Sequence, residues 1–139
     1  MSYKHILVAV DLTKSSEIVI RKAVSLAKEA SAKLSFIYVD TNISEQVDTL
    51  GLAKATGSKE KQRLQKELYA LADQLDYPVD STLVVIGDVE VKLATAVNQF
   101  DADLLVCGHH HNFWSRLLSS VRNLVNTVST DLLIVYIEK

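Results

Sequence analysis

Asp103-Leu104-Leu105-Val106-Cys107-Gly108-His109-His110-His111-Asn112-Phe113-Trp114-Ser115 runs on into Arg116-Leu117-Leu118-Ser119-Ser120-Val121-Arg122-Asn123-Leu124-Val125-Asn126-Thr127-Val128. Leu104 to Cys107 is a short apolar run of strand length that stops at Gly108. A polar loop follows. Leu117, Leu118, Val121, Leu124, Val125 and Val128 then recur at helical spacing. Strand, glycine turn, helix is how α/β proteins hold phosphates, through free amides at the helix N-terminus. This stretch therefore sets the fold class, and its loop decides whether the phosphate chemistry survives.

Working outward, the same alternation covers the chain. His5 to Val10 is a β-branched run ending in Asp11; apolar on both faces, it belongs in the middle of a covered sheet. Thr13, Ser15 and Ser16 offer helix-start chemistry, and Val19, Ala23, Leu26, Ala27 and Ala30 share one helical face. Leu34 to Val39 is the second strand, ending in Asp40. The segment 41–58 has weak periodicity and two glycines, and reads as a long connection that either covers a site or makes a surface excursion. Leu64, Leu68, Leu71, Ala72 and Leu75 mark a second helix, closed by Asp76-Tyr77-Pro78. Thr82 to Ile86 is a third strand, and Asp88 caps a helix with the face Val89, Leu93, Ala96, Val97 and Phe100. Leu132 to Ile137 is the last strand. Strands alternating with helices imply a parallel sheet covered on both faces.

Composition narrows the function classes. With 139 residues the expectation is a single domain over 1–139. A net charge of -2 leaves no footprint for nucleic acid or an anionic membrane. One cysteine forms no internal disulfide, and Ile6 to Val10 runs straight into Asp11 rather than into a signal-peptide core. The expected setting is the cytoplasm.

In an open parallel sheet, ligands bind beyond the carboxyl ends of the strands where the strand order reverses. If that reversal falls between the first and fourth strands, Asp11 and Gly108 share the mouth of one cleft. The chain resembles the universal stress proteins through Tyr3-Lys4-His5-Ile6-Leu7-Val8-Ala9-Val10-Asp11 and Asp103-Leu104-Leu105-Val106-Cys107-Gly108-His109-His110. Phe113-Trp114-Ser115-Arg116-Leu117 with Asn126-Thr127-Val128 is similar to the UspA-type branch. The resemblance implies an α/β, Rossmann-like fold with a five-stranded parallel sheet of order 3-2-1-4-5 and helices on both faces. It also implies a homodimer and a role in survival of starvation, oxidative or DNA-damaging stress.

ATP-binding members of that family carry Gly-x-x-Gly, nine residues, then Gly followed by Ser or Thr. Bare backbone is needed because a side chain fills the space a phosphate requires, and converging amides need unusual dihedrals. Here Gly108 keeps the first position, while His111, Val121 and Arg122 replace the other three. Asp11 matches the acid beside the adenine, and Val39 completes what is read as a vestigial nucleotide cleft. The expectation is no cofactor and no tight ATP binding.

Other chemistry in the loop is weighed against plainer readings. His109, His110 and His111 invite zinc or nickel, but adjacent loop residues point apart and lack a supporting ligand at useful spacing, so an exposed polar turn is preferred and no metal is expected. Cys107 reads as a buried strand-end residue rather than a nucleophile. Ser115 with Arg116 is a weak anion site, and Ser115, Ser119 and Ser120 are phosphorylation candidates with nothing to choose between them. Phe113 and Trp114 read as a staple at the start of the last helix.

In the implied order the last strand is a sheet edge. Leu133, Val135, Tyr136 and Ile137 lie on an apolar edge without proline or inward charge, which is an aggregation hazard unless something pairs with it. Pairing of two such edges about a two-fold axis gives a closed homodimer. Charging that edge with Val135→Lys or Ile137→Glu is expected to give a monomer. No catalytic constellation is visible. The preferred reading is a non-enzymatic stress protein acting through unidentified protein partners; the alternative is a nucleotide-binding switch or weak ATPase in the cleft between the first and fourth strands.

Overall fold

The computed structural model describes residues 3–12, 16–40, 52–109 and 130–136. In chain order the elements are β1 (His5–Ala9), α1 (Ser16–Ala30), β2 (Lys33–Asp40), α2 (Leu52–Asp73), β3 (Ser81–Ile86), α3 (Val89–Phe100), β4 (Leu104–His109) and β5 (Asp131–Tyr136). The strands form one five-stranded sheet of order β3-β2-β1-β4-β5, and every neighbouring pair is parallel. The order and the parallel sense are those expected from the sequence. The predicted helix over 117–128 lies outside the described residues.

Period-two alternation divides the strands between two layers. Ile6 and Val8 of β1, Leu34 and Phe36 of β2, and Leu104 and Val106 of β4 face α1 and α2, packing with Val19, Ala23, Ala27, Leu64 and Leu68. Leu7, Ile37, Leu105 and Cys107 face the other way and pack with Leu93, Ala96 and Val97 of α3. Ile6, Leu7 and Val8 are fully buried, which is why β1 carries apolar side chains in unbroken succession. Each such side chain contributes about 1.5–3 kcal/mol by leaving water.

Three boundaries differ from expectation by two residues or more. α2 begins at Leu52, so the end of the predicted connection 41–58 is helix, with Gly57 inside it. Leu52-Ala53-Lys54-Ala55 opens the helix with residues that favour it without leaving an apolar stripe to detect, ahead of Thr56, Gly57 and Ser58. α2 also ends at Asp73, before the predicted Leu75. β4 runs two residues past Cys107: Gly108 pairs with Val135 and His109 with Tyr136. Gly108 therefore belongs to the sheet ladder rather than to a turn, because β5 continues alongside and takes up its backbone groups.

Candidate functional site

The strand order reverses between β1, whose chain neighbour β2 lies on one side, and β4 on the other. Ala9 is in register with Ile37 and with Cys107. The Val10 amide donates to the Ile37 carbonyl at 2.9 Å, carrying the β1–β2 ladder one residue further. The chain then leaves the sheet through Asp11 and Leu12. Leu12 has φ +61, a left-handed conformation that costs a residue with a side chain about 1–2 kcal/mol. Its side chain packs against the core on the α1 side, and that contact offsets the strain.

Ser16, the first residue of α1, fixes what Asp11 can do. The buried Ser16 hydroxyl donates to the Asp11 carboxylate at 2.5 Å and accepts the Asp11 amide at 3.0 Å. The acid at the cleft mouth is thus tied to the helix N-terminus, where the dipole and the hydroxyl both favour negative charge. Val39 lies one strand away. It is half-buried, in register with Val85, and packs on the α3 layer. Asp11, Val39 and Gly108 all lie at the carboxyl end of the sheet, Asp11 two residues past β1, Val39 on β2 and Gly108 on β4. His111, Val121 and Arg122 fall outside the described residues, as do His110, Phe113, Trp114, Ser115, Arg116, Ser119 and Ser120.

Cys107 sits in the ladder between Ala9 and Ile134 and is buried. Burial pushes its thiol up to about 12, so it stays protonated and is a poor nucleophile. Among the edge residues, Val135 is buried in the α1–α2 layer and Leu133 packs partly against it. Tyr136 is placed by its backbone pairing with His109, and Ile137 lies outside the described residues. Val135→Lys would therefore break the chain's own core, and it is unsuited to reporting on an interface.

Sequence reasoning missed a polar cluster at the amino end of the sheet. The Asp103 carboxylate accepts from the backbone amides of Lys4 at 2.8 Å and His5 at 3.0 Å, while the Asp103 amide donates to the His5 carbonyl. The buried His5 ring places Nδ1 2.9 Å from the Phe100 carbonyl and Nε2 2.7 Å from the Ser35 hydroxyl. A carbonyl only accepts, so Nδ1 carries a proton, and in the neutral ring Nε2 accepts from Ser35. The cluster joins β1, β2, α3 and β4 and leaves no ring nitrogen for a ligand, so its role is structural. A histidine inside an apolar run was the available signal.

A cavity of about 410 Å³ lies between the end of α2 and the start of β3, lined by Tyr69, Asp73, Asp76, Tyr77 and Asp80 among others. It opens beside the amino end of β3, opposite to the cleft. Lys28 pairs with Asp76 at 3.0 Å on its rim.

Comparison with known proteins agrees with this geometry. The universal stress protein family model matches residues 2–136. The universal stress protein A homolog of Haemophilus influenzae is 47% identical over 137 residues, covering 96% of each chain. Universal stress protein A of Escherichia coli K12 is 44% identical over 139 residues, covering 97% of this chain and 95% of that one. A universal stress protein solved in complex with cAMP superposes with a TM-score of 0.70 over 98% of both chains at 23% identity, a likeness of fold. With the sheet order, the β1/β4 crevice and near full-length similarity in agreement, the chain belongs to the universal stress protein family.

Proposed function

We propose that the protein is a UspA-type stress protein that supports survival under starvation, oxidative or DNA-damaging stress. It acts as a cytoplasmic, non-enzymatic homodimer through protein contacts and does not hold ATP tightly. The observation that carries this reading is the replacement of the phosphate-loop pattern by His111, Val121 and Arg122. Imidazole and isopropyl groups stand at two positions where the pattern has bare glycine backbone, and a guanidinium replaces the Ser or Thr hydroxyl. Two features of the cleft agree: Gly108 is committed to the β4–β5 ladder, and the Asp11 carboxylate is engaged by Ser16.

The second reading, a nucleotide-binding switch in the β1/β4 cleft, draws on the cAMP complex of the fold neighbour and on the position of Asp11. Thermal denaturation separates the two. A ligand at a hundred times its Kd stabilises the native state by about 2.7 kcal/mol. For a chain of this size that raises Tm by roughly 8 °C. The expected result with millimolar MgATP, and with cAMP, is a shift below about 1 °C. A saturating rise of several degrees with either nucleotide would replace the scaffold reading by the switch.

A further inference from the structure

We propose that the side chain of Gln65 acts as a built-in strand partner that closes the β3 edge of the sheet against a second copy of the chain. β3 is the other outer strand in the order β3-β2-β1-β4-β5. Its sequence, Ser81-Thr82-Leu83-Val84-Val85-Ile86, holds no charge and no proline, so these two protections of an exposed edge are missing from the strand. Six uncharged residues rich in β-branched side chains also form a segment prone to pair with its own kind.

The α2 helix packs Leu64 and Leu68 on the same layer as Val84, and this sets Gln65, the next residue, over the rim of the strand. The Gln65 side-chain nitrogen donates to the Thr82 carbonyl at 3.1 Å and to the Thr82 hydroxyl at 3.1 Å. Its oxygen accepts the Val84 amide at 3.2 Å. The orientation of the amide follows from chemistry, since a carbonyl only accepts and a backbone N–H only donates. In a parallel ladder one residue of a neighbouring strand bonds the C=O of residue i and the N–H of residue i+2. Gln65 supplies that same donor and acceptor to Thr82 and Val84. It occupies the middle of the edge, where a sixth strand would begin to zip.

The consequence is directional. With β3 closed, self-association through sheet edges is confined to β5, and it ends at a closed pair rather than an open chain of sheets. Removing the amide gives the molecule two adhesive edges. The inference does not rest on the proposed β5 homodimer, because the readout is the change from whatever assembly the wild type forms.

Sedimentation of wild type, Gln65→Ala and Gln65→Leu across a wide concentration range tests this. Both variants are expected to gain species of about twice the wild-type mass or more, growing with concentration. Adding Thr82→Pro should reverse the gain. Proline at this position removes an outward-facing N–H that a second copy needs, and an outer strand tolerates it. Folded variants that keep the wild-type mass at every concentration would overturn the proposal, as would a gain that Thr82→Pro leaves intact. Amide exchange in the wild type gives a readout independent of how the variants fold. The Val84 amide should be protected at least about tenfold relative to an unstructured chain, and an unprotected amide would also overturn it.

Discussion

Cys107 shows how one position can look reactive in the sequence and be inert in the fold. It precedes Gly108 and the histidines, yet its side chain points into the α3 layer with Leu105 and Leu7. Burial alone raises its thiol from 9.0 to about 12. The folded state therefore holds its proton longer than the unfolded chain does. That contribution to stability is complete below pH 9 and is lost as pH rises from there through about 12. The expected outcome of thiol titration with an aromatic disulfide at pH 8 is no reaction in native protein and one equivalent in denaturant. Rapid labelling of the native protein would mean that the layer opens locally. His5 carries the complementary lesson. Its type was visible inside the first apolar run, but its partners Phe100 and Ser35 come from distant parts of the chain, and only the fold brings them together.

Elements were legible in their middles and less so at their ends. Apolar periodicity located α1, α3 and the five strands, and the Asp88 cap was readable because its carboxylate accepts the Val91 amide three residues on. Helix ends were harder, because the usual glycine is absent. α1 and α3 both close with a left-handed residue that carries a side chain, Ser31 at φ +54 and Asp101 at φ +54. The amides of Ala32 and Ala102 reach back to the carbonyls of Ala27 and Val97 at 3.0 Å, the paired closure in which glycine normally sits at the left-handed position. Ser31 is exposed, so its substitution reads backbone strain with little change in packing. Ser31→Gly should stabilise by about 0.5–1 kcal/mol, the relief of strain less the entropy glycine adds to the unfolded chain. Ser31→Val should destabilise by about 1 kcal/mol or more, since a β-branched residue tolerates that conformation least. Urea denaturation of the two variants checks the opposite signs, and changes of the same sign would remove strain as the cause. The start of α2 and the extension of β4 escaped for a different reason: Ala53 and Lys54 favour helix without a stripe, and a strand end is set by its neighbour β5 rather than by its own residues.

At the scale of the whole molecule, the sheet has two outer strands that the sequence treats differently. β3 receives an amide from α2, whereas β5 presents Leu132, Leu133 and Ile134 half-buried, with Val135 already committed to the interior. The order β3-β2-β1-β4-β5 makes β5 an edge, and the backbone of an edge strand is a template for another strand. Two copies related by a two-fold axis satisfy both edges at once and leave no further site, which limits association to a pair. The variant that tests this must disturb the edge without touching the core, and that requirement excludes Val135→Lys. Ile137→Glu leaves Val135 in place and adds a charge to the apolar sequence that follows β5, the kind of change that opposes edge-to-edge pairing. Wild-type protein is expected to sediment as a dimer over the accessible concentration range. Ile137→Glu is expected to sediment as a monomer with unchanged helix content. A variant that stays dimeric removes β5 from the interface, and a monomeric wild type removes the homodimer itself; in the second case partner recognition would have to be sought on a single subunit, beginning with the carboxyl-end cleft around Asp11.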